Sequence, residues 1–408
     1  MCGLAYSTLD SFQTLSIQHR GPDEFITGRH ELGWWAHSRL TTQGEPGTTR
    51  VETRHGLCLY NGDVYNFDEE NDTRAIVDRM QADPTELLRS LSGEWSIVVA
   101  HADATWFARD AWGTHGLWYF HDDNLLAVAS FPDVLRERFG AAYQVLPNHI
   151  YRWDRVRHTL TRDALTQWDL TQTRDDWDLV HERLEQSVRR RCNASTTLML
   201  SGGDDSGVIM AAAEAQSIQM PTITVPWGEN TPTYRDRVQR HRPRLVRMPH
   251  RHLYQERLDR MREVLWCRYI DSQDTLATLA IVDQCKSRIL INGVGGDELY
   301  SDYGVHGRPL RYESRFGGHF PADLHMVWPW YQQVHEWCTR DDLIAGFHGV
   351  NTRYPLLDRE LVQAWLNTTQ RLKNSGYKQW MKVYMQDHGY PNSHTKIGFA
   401  QWTQDHTT

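Results

Sequence analysis

Twice in its second half the chain runs a short apolar stretch straight into a glycine-rich loop. Residues 197–200 lead into Ser201-Gly202-Gly203-Asp204-Asp205-Ser206-Gly207, and Ile289–Ile291 lead into Asn292-Gly293-Val294-Gly295-Gly296-Asp297-Glu298-Leu299. A strand that ends in a small-residue turn and opens a helix is the building unit of a parallel sheet, whose strands need crossover connections. Helical spacing at 179–190 and 208–215, and another strand candidate at 221–225, continue the alternation. Residues 175–408 are therefore expected to form an α/β domain with helices packed on a parallel sheet. In such loops small residues let backbone N–H groups approach phosphate, and the helix N-terminus behind them favours anions. Neither loop carries the Gly-Lys-Ser/Thr of a Walker site.

The first half has a different pattern. From Trp34 to Trp153 short strand candidates, among them 56–64, 95–100 and 125–130, are separated by Gly, Asn and Asp turn signals, while 71–80 has helical spacing. A mixed domain rich in antiparallel sheet is expected over residues 1–165, with the polar stretch 152–178 read as the crossing between domains.

Composition narrows the function classes. The chain of 408 residues is 40% hydrophobic and 24% charged, and its length suits two domains. No apolar run approaches the roughly 20 residues of a membrane helix, and Met1-Cys2-Gly3-Leu4 lacks the features of a secretory leader, so a cytoplasmic location is expected. Six scattered cysteines offer neither a zinc spacing nor a disulfide framework. With a net charge of -8 and only short basic clusters at 189–191 and 235–247, read as solvated helix faces, no nucleic-acid footprint is expected.

Cys2 stands where removal of Met1 would free an α-amino group to act as general base for its own thiol. An α-amine with a pKa near about 8 can take up that proton at neutral pH. Four more segments follow: His19-Arg20-Gly21-Pro22-Asp23, Ala36-His37-Ser38-Arg39-Leu40, Asn61-Gly62-Asp63-Val64-Tyr65-Asn66, and Asp72 opening a helix. In order and content these resemble the class II glutamine amidotransferases, which are amino-terminal nucleophile hydrolases of αββα sandwich fold. The resemblance implies that Cys2 attacks the glutamine amide and that Asn61 and the Gly62 N–H hold the oxyanion. It also implies that Arg39 binds the glutamine carboxylate and that Asp63 and Asp72 bind its ammonium group. Asp63 stands where that family usually has Glu. Arg109-Asp110 and Gly113 match a further block, to which a structural role is given.

The first glycine loop resembles the SGGxDS pyrophosphate loop (PP-loop) of ATP pyrophosphatases, a fold similar to the adenine nucleotide alpha-hydrolases, and the second resembles SGEGxDEL. With Arg353-Tyr354-Pro355-Leu356-Leu357-Asp358, the pair Lys378 and Lys382, and Lys396 to Phe399, the whole chain is similar to glutamine-hydrolysing asparagine synthetases. That resemblance implies an ATP and pyrophosphate site made of Ser201, Gly202, Gly203, Asp205, Ser206, Gly293, Gly295 and Lys378, with Mg2+ on Asp205 and Asp297. Ammonia from glutamine would reach a carboxylate adenylated by ATP through an internal passage. Aspartate is the favoured acceptor, and a homodimer is an assembly the resemblance allows. Asp204, Gly207, Asn292 and Val294 depart from the usual loop residues. In the segment expected to carry an acidic base, Cys267-Arg268-Tyr269-Ile270-Asp271 stands in place of the E-x-Y-D pattern, with both acidic positions changed and Asp271 one residue displaced, which implies a reshaped acceptor pocket. Two competing readings are a glutaminase whose second half is a binding or regulatory module, and a beta-lactam synthetase. The latter needs no glutamine, and Cys2 with Arg39, Asn61 and Asp72 argues against it.

Overall fold

A computed structural model describes residues 2–9, 11–12, 15–42, 51–67, 71–226, 231–246, 251–264 and 273–392. The chain folds into two compact units. The first gathers Met1–Gln167 with the later segments Gln255–Ile270 and His335–Asn351, and the second holds the remainder.

The first unit contains two six-stranded antiparallel sheets. One runs in the order Tyr143–Gln144, Trp118–His121, Leu126–Ala129, Cys2–Ser7, Gly33–Arg39, Glu24–His30. The other runs Thr159–Ala164, His149–Asp154, Ala104–Arg109, Gly93–His101, Gly56–Val64, Glu52–Thr53. Leu4, Tyr6, Leu57, Leu59, Val98, Phe107, Val128 and Tyr151 form one buried cluster drawn from both sheets, so the sheets pack face to face. The opposite face of the second sheet, with Tyr60, Trp95, Ile97 and Trp106, buries Ile76, Val77 and Leu88 of the helices Asp72–Asp78 and Thr85–Ser90, together with Met80 just after the first of them. Helices Leu15–Arg20 and Pro132–Phe139 cover the first sheet, completing the αββα layering. The strand Gly56–Val64 is buried on both faces, which explains its unbroken apolar character.

Most of helix Val334–Phe347 belongs to this unit despite its late place in the sequence. Its Asp342 is fully buried, accepts hydrogen bonds from His115 Nδ1 and the Gly116 N–H at 2.8 Å each, and pairs with Arg20. Arg20 and His115 hold the Asp342 carboxyl far below the usual range although burial acts against its charge. The Arg109 guanidinium donates to His115 O (2.8 Å), Val145 O (3.0 Å) and Thr339 Oγ1 (3.0 Å), a structural use.

The stretch 152–178 is not a plain crossing. Its first part supplies the ends of the hairpin His149–Asp154 and Thr159–Ala164, and the second of these is an exposed, polar edge strand. Edge strands carry charge on both faces, so their sequence resembles a linker.

The second unit is built on a five-stranded sheet in the order Arg244–Leu245, Thr222–Thr224, Thr196–Met199, Ile289–Ile291, Asn351–Arg353. Thr196–Met199 pairs in parallel with Thr222–Thr224 on one side and Ile289–Ile291 on the other. The chain therefore leaves the central strand in one direction and returns on its other side, opening a crevice at the strand ends. Helix Asp204–Ala215 is buried over nearly its whole length between the helices Asp178–Arg191 and Gln379–Asp387. An aromatic cluster of Tyr300, Phe320, Trp330, Trp365 and Trp380 fills another part of the core. Among the described residues no helix is long and apolar enough to cross a membrane, and the five described cysteines are free thiols.

The basic clusters are not solvated faces throughout. Arg191 is buried and pairs with Asp358 at 2.7 Å, and Arg237 is fully buried.

Candidate active sites

In the first unit antiparallel register sets the geometry. Cys2 lies directly opposite Arg39, and Arg39 directly opposite Glu24 on the next strand. The three form a row across one sheet face, since paired residues share a face. Glu24 Oε2 is 3.5 Å from Arg39 Nε. The Cys2 backbone N–H donates to Asn61 Oδ1 at 2.7 Å, tying the Cys2 strand to the facing sheet, and Asn61 Nδ2 reaches Ser96 Oγ at 3.4 Å. Gly62 has φ +146°, and a Cβ there would lie 2.6 Å from Trp95 Cα, so only glycine fits beside Asn61. At Gly3 an added Cβ would meet Ile17 Cγ2 at 2.5 Å and Ser38 Oγ at 2.6 Å, which accounts for glycine next to Cys2.

Buried Asp63 and half-buried Asp72 come together as an acidic pair. Asp72 Oδ2 accepts from the Tyr60 hydroxyl at 2.9 Å and from the Val64 N–H at 3.2 Å. Asp63 Oδ2 accepts from Asn351 Nδ2 at 2.7 Å. Burial first, and then the Asp63 charge, push the Asp72 carboxyl up to about 6. Two carboxylates that repel in isolation are suited to share an incoming ammonium group.

The sequence alone assigns His37 no chemistry. It is 4% exposed, two residues along its strand from Arg39, and its Nε2 lies 2.9 Å from Tyr60 O. Asn351 is equally silent in sequence, since nothing local links it to residues nearly three hundred positions earlier.

In the second unit the two glycine loops leave neighbouring parallel strands at the same sheet edge. Ser206 Oγ accepts from the Ser201 N–H at 3.0 Å and contacts Ser201 Oγ at 2.9 Å, and the Gly203 N–H donates to Ser201 Oγ at 3.2 Å, which closes the first loop. Gly203 caps helix Asp204–Ala215 with no side-chain hydrogen bond, which suits an anion at the helix N-terminus. In the second loop a Cβ on Gly296 would meet Asp205 Oδ2 at 2.7 Å, and one on Gly293 would meet Asp205 Cβ at 3.0 Å. Glycine there lets the loops touch. Gly295, at φ +101°, donates its N–H to Glu298 Oε2 at 2.8 Å.

Asp205 and Asp297 converge on a single cation. Lys378 Nζ is 2.6 and 2.8 Å from the two Asp205 oxygens and 2.7 Å from Asp297 Oδ1, while the Tyr377 hydroxyl donates to Asp297 Oδ1 at 2.5 Å. Burial works against the charge on Lys378, but the two carboxylates more than offset it and hold the ammonium well above the usual lysine range. Lys378 has φ 48°, a left-handed backbone that costs energy for a non-glycine residue. Among the described residues no three or more His, Cys, Asp or Glu side chains form a cation cluster. The carboxylate pair still fits Mg2+, which is commonly bound by one or two carboxylates together with phosphate oxygens.

The unusual loop residues have packing partners. A Cβ on Gly207 would lie 2.5 Å from Arg237 Cζ and 2.8 Å from Nη1. Arg237 takes that space to donate to Ser201 O (2.8 Å), Gly203 O (2.6 Å) and Pro391 O (2.8 Å), clamping the first loop from beneath. Asp204 is buried with Lys382 Nζ at 3.9 Å. Asn292 Oδ1 accepts the Val294 N–H at 3.0 Å, an internal brace for the second loop. Cys267, Asp271 and the segment Lys396 to Phe399 lie outside the described residues.

Comparison with known proteins agrees with the two-part reading. A family profile described as "Asparagine synthase" matches residues 179–335, and one described as "Glutamine amidotransferase domain" matches residues 50–137. Among curated proteins none matches at a significant level. Solved structures similar to this chain include a glutamine phosphoribosylpyrophosphate amidotransferase from B. subtilis complexed with ADP and GMP. Another is titled as the allosteric regulatory enzyme of purine biosynthesis. Each is 14% identical, covers 62% of this chain and 70% of its own, and has a TM-score of 0.33. The chain thus has the architecture of the asparagine synthetase family, a glutamine amidotransferase domain joined to an asparagine synthase domain in an ATP-dependent amide ligase that uses glutamine.

Proposed function

We propose that the protein amidates a carboxylate acceptor, with aspartate favoured, by the asparagine synthetase reaction. Cys2 adds to the side-chain amide of glutamine, forming a C–S bond. Asn61 Nδ2 and the Gly62 N–H stabilise the oxyanion, and such donors contribute several kcal/mol in the transition state. Loss of ammonia leaves a thioester, which water cleaves to glutamate. Arg39 holds the glutamine carboxylate with its planar fork, while Asp63 and Asp72 take the ammonium group. In the second unit the acceptor carboxylate attacks the α-phosphorus of ATP and pyrophosphate leaves. Ammonia then attacks the acyl-adenylate and AMP leaves, giving the amide.

Ser201, Gly202, Gly203 and Ser206 would cradle the pyrophosphate at the helix N-terminus, with Gly293 and Gly295 opposite. Asp205 and Asp297 would hold Mg2+, which neutralises phosphate charge when bound. Lys378 would turn from these carboxylates to the leaving pyrophosphate. The observation that carries the reading is that Asp205 and Asp297, at the ends of two adjacent parallel strands, clasp one cation within 2.8 Å. A degenerate binding module would have no reason to keep that convergence. The test is pyrophosphate release with ATP, Mg2+ and glutamine across a panel of carboxylates. Turnover with aspartate well above the rest is expected, and turnover only with another acid would reject aspartate.

A further inference from the structure

Asn351 is fully buried, and its Nδ2 donates to Asp63 Oδ2 at 2.7 Å. Both residues belong to the first unit. An ionised carboxylate only accepts hydrogen bonds, so the NH2 end of the amide faces Asp63 and the carbonyl end is turned away from it. That end, Oδ1, is buried and has no hydrogen-bond partner among the described residues. A buried amide oxygen left unpaired costs at least as much as a lost hydrogen bond, so the position suits a donor that arrives from outside the fold.

The surroundings select a cationic donor. Asp63 follows Asn61 by two residues on strand Gly56–Val64, so both side chains leave the same face, the one on which Asn61 Oδ1 accepts the Cys2 N–H. Directly opposite Asp63 on the neighbouring strand is Glu94, buried, whose carboxylate accepts from the Tyr65 hydroxyl. Asp72 is close enough for the Asp63 charge to raise its carboxyl. Carboxylates gathered beside an amide carbonyl attract a positively charged donor. Glutamine brings one, since its α-ammonium group has three N–H bonds and the two aspartates account for two of them.

We infer that Asn351 Oδ1 accepts the third N–H of the glutamine α-ammonium group, which makes Asn351 a specificity residue of the glutaminase site. The inference rests on the reading that Asp63 and Asp72 bind that group. One amide then has two tasks: Nδ2 fixes an Asp63 oxygen, and Oδ1 completes the set of acceptors. The contact is present in ground state and transition state alike, so it acts on KM rather than kcat.

Glutaminase kinetics with glutamine and with glutaramate, which has the same amide and carboxylate but no α-ammonium group, test the assignment. In Asn351→Leu, close in shape to asparagine, and in the smaller Asn351→Ala, kcat/KM for glutamine should fall about ten-fold or more through KM, while that for glutaramate stays within about two-fold. The preference for glutamine therefore drops, whereas a general loss of structure would lower both substrates together. A double-mutant cycle separates direct contact from a role confined to holding Asp63. In an Asp63→Ala background Asn351→Leu should still cut the preference about five-fold or more, and a residue acting only through Asp63 would add nothing. An unchanged preference in the folded Asn351 variants, or no further loss in the Asp63→Ala background, overturns the inference. If Asp63→Ala and Asp72→Asn also keep the wild-type preference, the reading of the acid pair fails as well. If those two lower it and the Asn351 variants do not, only the Asn351 assignment falls.

Discussion

Gly207 lies in the first turns of helix Asp204–Ala215, where alanine is a better helix former by about 1 kcal/mol. On local grounds Gly207→Ala should stabilise. The structure reverses that sign. The new Cβ would sit 2.5 Å from Arg237 Cζ and 2.8 Å from Nη1, against an ordinary carbon contact of roughly 3.5 Å or more. The guanidinium must retreat by about 1 Å, and it is held by Ser201 O at 2.8 Å, Gly203 O at 2.6 Å and Pro391 O at 2.8 Å. Losing two hydrogen bonds from a charged donor costs about 3–6 kcal/mol, which leaves a net destabilisation of about 2–5 kcal/mol after the helix gain. Because the lost bonds shape the first glycine loop, which is proposed to cradle the pyrophosphate, KM for ATP should also rise while glutamine hydrolysis is unchanged. Urea unfolding followed by tryptophan fluorescence, in wild-type and Arg237→Ala backgrounds, measures the coupling. With Arg237 truncated, Gly207→Ala should become neutral or stabilising by up to about 1 kcal/mol. An equal cost in both backgrounds would refute the packing argument.

Under the proposed function Asp72, raised to about 6 in the folded protein, ionises to bind the glutamine ammonium group, so glutaminase kcat/KM should fall as pH drops below about 6. The raised carboxyl favours the protonated fold, so stability of the ligand-free protein should decline as pH rises from about 4 to about 6, and glutamine should flatten that slope. A flat kcat/KM between pH 5 and 7 would remove Asp72 from the site. Lys378→Ala leaves Asp205 facing Asp297 without their shared cation. About 1–3 kcal/mol of stability should be lost, discounted because both acids are partly exposed. Mg2+ should then raise the melting temperature of the variant more than that of the wild type, and equal responses would argue against a shared cation site.

Much of the molecule is legible in its sequence because backbone geometry leaves its mark there. Strands 56–64 and 289–291 and the helix opening at Asp72 fall where period and turn residues place them. The glycines at 62, 293 and 296 are readable because each marks a place where a side chain cannot fit. Long-range partners are a different matter. Asn351 reaches Asp63, and Asp342 pairs with Arg20, across nearly the full chain, and neither carries a local pattern. Gly207 stands out in sequence as a departure, and only Arg237 gives it a reason. Arg191 and Arg237 mislead a sequence reading because charge normally marks solvent, whereas these guanidinium groups are buried against a carboxylate and loop carbonyls.

The central claim is that one chain carries two separable half-reactions, and nitrogen-source dependence tests it most directly. Pyrophosphate and amide formation should be measured with glutamine and with ammonium chloride in wild type, Cys2→Ala and Asp205→Asn. Cys2→Ala should lose glutamine-dependent amide formation while keeping the ammonia-dependent reaction, and Asp205→Asn should lose both amide-forming reactions while still hydrolysing glutamine. A folded Cys2→Ala protein inactive with ammonia, or one still fully active with glutamine, would contradict the account.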